Sequence, residues 1–191
     1  DLNQWPEGRP QFRSAMEGFF DAASGIAART LSLVLKALNA SMSAATVSVA
    51  GDPRTSNVRL NYYPQHDPLS VDESRGVTAL GDMALHHHTD PGILTLLLQD
   101  DSGGLQTHSL SNGWIDVSPV PGTIVVNLGD AMQVWSNDHY RAAVHRVVPM
   151  TTIGCSGRFS TPYFFNPPGN ATLESLIPAH LESPKYRVFT W

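Results

Sequence analysis

The sequence predicts a mainly β protein of the sandwich or barrel type, with an N-terminal amphipathic helix packed on a sheet. Apolar residues recur at steps of three and four only within residues 10–39. From residue 58 onward they alternate with polar residues in short stretches that end in turn residues. No long helical pattern separates these stretches, which disfavours a parallel sheet with crossover helices. The length of 191 residues and the 41% hydrophobic content suit one domain with one core.

The helical segment has one continuous apolar face that is expected to cover a sheet. Gly18 and Gly25 weaken this pattern, so two packed helices are the alternative to a single one. Residues 40–57 are rich in Ser, Ala, Gly and Pro and are expected to form a loop. The apolar face comprises Phe12, Ala15, Met16, Phe19, Phe20, Ala23, Ile26, Ala27, Leu31, Val34, Leu35 and Leu38.

Eight short strands follow, and their number and spacing favour a sandwich or barrel. The Pro-rich tail from residue 167 includes "ATLESLIPAHL", where a short helix is expected. The predicted strands are "VRLNYY", "MALHHH", "ILTLLLQ", "GLQTHS", "WIDV", "TIVVNL", "AAVHRVV" and "RFSTPYFF".

Composition excludes several classes of partner. Only 15% of residues are charged, the net charge is -5, and no block of Lys or Arg marks a nucleic-acid or acidic-membrane surface. No uncharged apolar run reaches about 18 residues, so no membrane span is expected. The opening "DLNQWPEGRP" has no secretory signal, and the single Cys155 offers neither an intramolecular disulfide nor a paired-cysteine zinc site. We therefore expect a soluble cytoplasmic protein.

The stretch "ALHHHTDPG" predicts a metal site. On a strand His86, His88 and Asp90 share one face, so His88 and Asp90 can reach a single point. His145, in the apolar stretch "AAVHRVV", is the best third ligand. Two imidazoles and one carboxylate leave coordination positions open, which is typical of non-heme Fe(II) oxygenases. His86 is the main rival ligand, because it shares the face of His88.

A second strand predicts an anion site. In "GRFSTPYFF" Arg158 and Ser160 share a face within an otherwise apolar stretch. A buried Arg needs an anionic partner, and a guanidinium beside a hydroxyl suits a carboxylate. A structural Arg paired with a core carboxylate is the alternative. Phe164 lies on the same face and either lines a substrate pocket or is a plain core aromatic.

The stretch "VRLNYYP" adds two polar side chains to this region. Asn61 and Tyr63 share one face with Arg59, so an amide and a phenol could meet the same acid. Tyr63 is alternatively a core aromatic whose hydroxyl is satisfied elsewhere.

These motifs together resemble the Fe(II)/2-oxoglutarate-dependent oxygenases. More narrowly, they resemble the branch that contains isopenicillin N synthase and the plant flavonoid and hormone hydroxylases. The resemblance covers roughly residues 57–168 and implies a double-stranded β-helix, or jelly roll, in that range. Residues 1–56 would then form an N-terminal helical segment and loop, and residues 169–191 a C-terminal extension. The motifs, in order, are "NVRLNYYP", "HHHTDPGILTLLLQDDSGGLQ", "PVPGTIVVNLGDAMQVWSND", "HYRAAVHRVV" and "RFSTPYFFNPP".

The resemblance implies a role for each candidate residue. It implies a dioxygenase that uses Fe(II), 2-oxoglutarate and O2, with ascorbate as a further candidate cofactor. Such an enzyme hydroxylates or desaturates a small organic substrate and releases succinate and CO2. The implied roles are iron ligation for His88, Asp90 and His145; binding of the distal carboxylate of 2-oxoglutarate for Arg158 and Ser160, assisted by Tyr63 and Asn61; and lining of the substrate pocket for Phe164 and His86.

Two alternatives stay open beside this function. One is an iron oxidase of the same branch that needs no 2-oxoglutarate, and the other is an inactive iron-binding jelly-roll module. The carboxylate of Asp90 disfavours halogenation, because the related halogenases have a small residue at this position. The chain departs from the branch in two respects. Arg158 lies thirteen residues after His145, several more than is usual in the plant members, and "TTIGCSG" accounts for the added length. The N-terminal region is also shorter than is usual in the branch.

Overall fold

A computed structural model describes residues 3–38, 51–64, 84–149 and 157–191 of the chain. Two large sheets form, and one long helix packs on the larger of them. Every strand pair between described residues is antiparallel. The lengthened turn with Cys155, and His66, fall outside these ranges.

The eight predicted strands all occur, and two further strands lie in the C-terminal tail, where the sequence predicted none. The first predicted strand is two short ones, because residues 59 and 60 interrupt the pairing. The strands are β1 (Asn57–Val58), β2 (Asn61–Tyr63), β3 (Leu85–His88), β4 (Leu94–Gln99), β5 (Leu105–Ser109), β6 (Gly113–Asp116), β7 (Val125–Leu128), β8 (His145–Val147), β9 (Arg158–Phe165), β10 (Thr172–Leu173) and β11 (Phe189–Thr190).

Three sheets are built from these strands, of which the smallest pairs β10 with β11. The five-stranded sheet has the order β1-β9-β4-β7, with β2 also paired to β9. The four-stranded sheet has the order β3-β8-β5-β6. Strand β4 is buried along most of its length, because it lies at the centre of the first sheet and contacts the helix.

Helix α1 (Pro10–Ala37) packs on the five-stranded sheet, as the sequence predicts. Pro10 occupies the first turn, where its missing N–H costs nothing. The helix continues through both glycines, so the alternative of two helices is wrong. Its buried residues recur every fourth position, and the Ser24 hydroxyl lies 2.8 Å from the Tyr163 hydroxyl on β9. The buried residues of α1 are Ala23, Ala27, Leu31 and Leu35.

Helix α1 is more apolar than the sequence analysis expected of any helix in this chain. By length and composition alone it could cross a membrane. The core helix of a soluble protein can have the same length and composition, and α1 packs on the five-stranded sheet. The absence of a membrane partner stays a prediction.

Two elements differ from the sequence prediction. A short helix, α2 (Asp130–Trp135), follows β7, and the sequence analysis did not predict it. The helix expected within residues 171–181 is wrong: this segment holds β10 and turns. Leu173 of β10 is buried in the core beside α2, and the Leu176 N–H donates to the Trp135 carbonyl. Tertiary packing on α2 thus decides the form of the tail.

Candidate metal centre and cavity

Three predicted ligands lie together at the ends of β3 and β8. His88 ends β3 and is paired in register with His145, which begins β8. Asp90 lies two residues beyond His88 and is 4% exposed. Asp90 Oδ1 is 3.7 Å from the Nε2 atom of each histidine, and one ligand atom from each residue lies within 4.8 Å of the others. Within the described part of the chain, this is the one such cluster of His, Cys, Asp or Glu.

Both histidines present the same nitrogen to the cluster. The Nδ1 atom of His88 lies 2.8 Å from the His86 carbonyl, and that of His145 lies 2.8 Å from the Ala143 carbonyl. A carbonyl can only accept a hydrogen bond, so each Nδ1 must carry the proton. The neutral ring then has its lone pair on Nε2, directed toward Asp90. This tautomer is the one that a metal requires.

The Asp90 carboxylate is held by one of its two oxygens. The Thr95 hydroxyl donates to Oδ2 at 2.6 Å, and the Asn127 amide donates to the same atom at 3.0 Å. The other oxygen, Oδ1, is left facing the histidines. Sequence reasoning missed both donors. The alternation of β4 and β7 carried no signal for this contact.

The backbone around Asp90 is fixed by α2. The Asp130 N–H donates to the Asp90 carbonyl at 2.8 Å, and the Ala131 N–H donates to the Gly92 carbonyl at 3.1 Å. Gly129 makes this approach possible, since a Cβ atom there would lie 2.3 Å from the Gly92 carbonyl oxygen and 2.6 Å from that of Asp90. The unpredicted helix therefore positions a predicted ligand.

The donor set fits a divalent transition metal. Two neutral imidazole nitrogens and one carboxylate oxygen suit Fe(II) and leave further positions of an octahedron for other ligands. No Cys lies among the described residues, so a thiolate-rich site has no support there.

His86 does not lie with the other three. It is exposed and is outside the set of described residues that line the cavity, so its role in the substrate pocket stays a prediction. The cause is an irregularity in β3: Leu85 pairs with Val147 and His88 with His145, so the register shifts between these two pairs. Such a bulge turns Leu85, rather than His86, to the face of His88.

The cluster lies on the wall of a cavity of about 690 Å3 between the two sheets. This volume is typical of small-molecule sites. Nine of the described lining residues are Leu or Val, and polar or charged side chains lie between them. The remaining predicted site residues all line it, namely Asn61, Tyr63, Arg158, Ser160 and Phe164.

Arg158 is 1% exposed, and its side chain hydrogen-bonds to neutral groups among the described residues. Its Nε donates to the Gly103 carbonyl at 2.8 Å and its Nη2 to Gln99 Oε1 at 3.1 Å. Burial lowers the pKa of this guanidinium, and the Tyr63 side chain and the Asp100 carboxylate oppose that effect. None of the ion pairs between described residues includes Arg158, so the alternative of a structural pair with a core carboxylate is wrong for that part of the chain. A buried cation on a cavity wall then suits an anionic ligand.

Strand pairing places the other polar residues beside Arg158. Tyr63 is directly opposite Arg158, whose guanidinium carbon lies 5.2 Å from the Tyr63 ring centroid. Asn61 is directly opposite Ser160, and its amide donates to the Ser160 hydroxyl at 3.4 Å. The four side chains form a polar region that we call the anion end of the cavity.

Phe164 lies at the other end of β9. It is half-buried and pairs in register with Thr95, the donor to Asp90. The guanidinium carbon of Arg59 lies 5.5 Å from the centroid of its ring. We call this region, with the three metal-ligand candidates, the metal end of the cavity.

Sequence comparison relates the chain to one family. The model of the 2OG-Fe(II) oxygenase superfamily matches residues 54–167. Homoarginine-6-hydroxylase 2-ODD-C23 of Glycine max is 35% identical over 176 residues, which are 91% of this chain and 50% of that protein. The chain thus spans about half the length of this curated relative.

Solved structures show the same fold. A full-length Neurospora crassa protein, crystallised in complex with alpha-KG, superposes with a TM-score of 0.79 at 30% identity, covering 98% of this chain and 57% of that one. The structure of JOX2 with 2OG, Fe and JA has a TM-score of 0.78 at 27% identity, covering 100% and 53%. The predicted jelly roll with an N-terminal helix is confirmed.

Proposed function

The chain belongs to the 2-oxoglutarate–Fe(II) oxygenase superfamily, and we propose that it acts as an Fe(II)- and 2-oxoglutarate-dependent dioxygenase. It oxidises a small organic substrate, by hydroxylation or desaturation, with release of succinate and CO2. One observation carries the proposal: the three candidate metal ligands and a buried Arg158, which has no ion pair with any described residue, line the same cavity. Relatives that bind 2-oxoglutarate and iron support it.

In this proposal His88, Asp90 and His145 hold Fe(II). When bound, the iron with 2-oxoglutarate and O2 supplies the oxidising power that no amino-acid side chain has. Thr95 and Asn127 keep one Asp90 oxygen occupied, so that the other faces the metal position. The backbone carbonyls of His86 and Ala143 keep the Nδ1 proton in place on each histidine.

Arg158 and Ser160 bind the distal carboxylate of 2-oxoglutarate at the anion end, with Tyr63 and Asn61 beside them. Gly103 and Gln99 orient the guanidinium, and burial keeps water from competing for it. The Leu and Val side chains of the wall help to exclude water from the substrate, whose reacting carbon must lie near the metal end. A cytoplasmic location is part of the proposal, and it rests on the single Cys155.

The test is anaerobic reconstitution with Fe(II), followed by a visible-absorption titration with 2-oxoglutarate. A weak metal-to-ligand charge-transfer band is expected in the wild type. Arg158→Ala should weaken 2-oxoglutarate binding about 10- to 100-fold, since it removes a charge-assisted contact from a buried site.

Arg158→Ala also loses structural hydrogen bonds, so a milder variant accompanies it. Ser160→Ala should weaken 2-oxoglutarate binding several-fold, whereas Ser111→Ala, in an exposed turn, should not change it. Iron binding without any band would refute the use of 2-oxoglutarate and favour the oxidase or the inactive module. Oxygen uptake would separate those two.

A further inference from the structure

Two arginines at the metal end have no part in the proposed function. Arg59 and Arg141 line the cavity, are exposed, and belong to none of the ion pairs between described residues. Arg59 comes from the link between β1 and β2, and Arg141 from the segment that leads into β8. One therefore approaches from each sheet.

We propose that these two arginines bind a carboxylate of the organic substrate. This inference rests on the proposed function and extends it to the substrate class: a carboxylic acid with an apolar or aromatic body. A guanidinium is the side chain best suited to a carboxylate, because its N–H groups match the two oxygens.

Arg59 lies beside a part of β9 that is too far from Arg158 for both side chains to bind the same carboxylate. The Arg59 N–H donates to the Pro162 carbonyl at 3.0 Å, and its guanidinium lies over Phe164. Pro162 is four residues from Arg158 on the same strand, a distance of roughly 13 Å between Cα atoms. The guanidinium of Arg158 is meanwhile bonded to Gly103 and Gln99.

Arg141 also lies at the metal end. It precedes Ala143, whose carbonyl orients the His145 imidazole. An acid bound between Arg59 and Arg141 would therefore have its body beside the metal-ligand cluster, where the reacting carbon is needed.

The charges of the cavity point the same way. Among the described lining residues, Asp90 is the one acid, against Arg59, Arg141 and Arg158. Fe(II) with 2-oxoglutarate is neutral in sum, and Asp90 cancels Arg158. Two positive charges then remain, on Arg59 and Arg141, and the positive potential that they create at the cavity favours an anionic substrate over a neutral one.

The body of the substrate follows from the rest of the wall. Beside its polar residues the lining has aliphatic and aromatic side chains, including Leu60, Val125, Val126, Leu128 and Phe164. Burial of the apolar groups of an acid against these side chains would contribute favourable binding free energy. A sugar or other polyhydroxy body would instead lose hydrogen bonds to water.

The test compares each acid with its own primary amide, which has nearly the same shape and no charge. The probes are 3-phenylpropionate, octanoate and cyclohexanecarboxylate, each against its amide. Binding is measured by anaerobic calorimetry on protein loaded with Fe(II) and 2-oxoglutarate. We expect at least one acid to bind about tenfold or more tightly than its amide, and its affinity to fall with added salt.

Arg59→Gln with Arg141→Gln should abolish this preference and leave the 2-oxoglutarate titration unchanged. Arg29→Gln is the matched control, because Arg29 is exposed on α1 and outside the cavity lining. It removes the same charge and should leave the acid preference intact.

Three results would overturn the proposal: amides that bind as tightly as acids, an absence of acid binding, or a preference that survives the double substitution. A wild type that shows the 2-oxoglutarate band and gives any of these refutes the carboxylate site alone. A wild type without the band refutes the proposed function, and the carboxylate site with it.

Discussion

Replacing Thr95 with Val removes one of the two hydrogen bonds that hold Asp90 in the ligand cluster. The two side chains have nearly the same shape, so the change is a hydroxyl for a methyl group in a buried place. The Thr95 hydroxyl lies 2.6 Å from Asp90 Oδ2, and only the Asn127 amide, at 3.0 Å, would remain on that oxygen. The carboxylate would then be free to rotate away from the histidines.

The expected magnitude follows from the contact that is lost. A hydrogen bond to a charged group contributes about 1.5–3 kcal/mol, and outer contacts of this kind typically change metal affinity about 10- to 100-fold. Thr95→Val should therefore weaken Fe(II) binding by about tenfold or more. The double variant with Asn127→Ala should bind Fe(II) more weakly still. If both donors act on one carboxylate, its fold-loss of Fe(II) affinity should be smaller than the product of the fold-losses of the two single variants.

The assay is anaerobic equilibrium dialysis with Fe(II), with thermal unfolding measured on the same samples. Thr30→Val is the control, because its hydroxyl donates to the Ile26 carbonyl within α1, away from the cluster. Unchanged iron affinity in Thr95→Val, with intact folding, would refute the view that this hydrogen bond positions the ligand.

Two further predictions concern stability. Gly129→Ala should destabilise the protein by about 1–3 kcal/mol in urea unfolding, because its Cβ atom would meet the Gly92 and Asp90 carbonyls. The control Gly18→Ala in α1, where a Cβ atom would have nothing within 4 Å, should stabilise the protein by about 0.5–1 kcal/mol. Equal effects at both positions would contradict the close approach at Gly129. The hydrogen bond from the Tyr186 hydroxyl is the largest influence on Asp138 and lowers the pKa of its carboxyl below 3.8. The ionised pair therefore stabilises the fold fully above pH 3.8, and this stabilisation decreases as the pH falls through the lowered pKa. The stability lost in Tyr186→Phe should therefore shrink below about pH 4 in unfolding measured across pH, and a pH-independent loss would contradict this coupling.

The long helix and the strands up to residue 165 were largely predictable because their signals are local. The face of α1 repeats every three to four residues, and the strands alternate every two, so each short window of sequence carries its own evidence. The chemistry of Asp90, His145 and Arg158 was predictable for a related reason: charged or metal-binding side chains stand out in apolar stretches, where they need a partner.

The elements that failed depend on packing between distant segments. The expected helix after residue 170 is absent, because Leu173 packs against the core beside α2 and the Leu176 N–H bonds to Trp135. Helix α2 was missed, because its single short stretch, Asp130–Trp135, is too brief to display a helical period. Neither outcome could be read from a local pattern.

Sequence alone determined the fold class, the ligand types of the metal cluster and the cationic residue at the anion end. Tertiary structure decided the finer positions. The bulge in β3 turns Leu85 to the cavity and His86 away from it. Thr95 and Asn127 become partners of Asp90, and Arg59 and Arg141 meet at one cavity, only through the pairing and packing of strands far apart in the chain. Alternation is a property of one strand, whereas register and bulges belong to pairs of strands, and no single stretch of sequence encodes them.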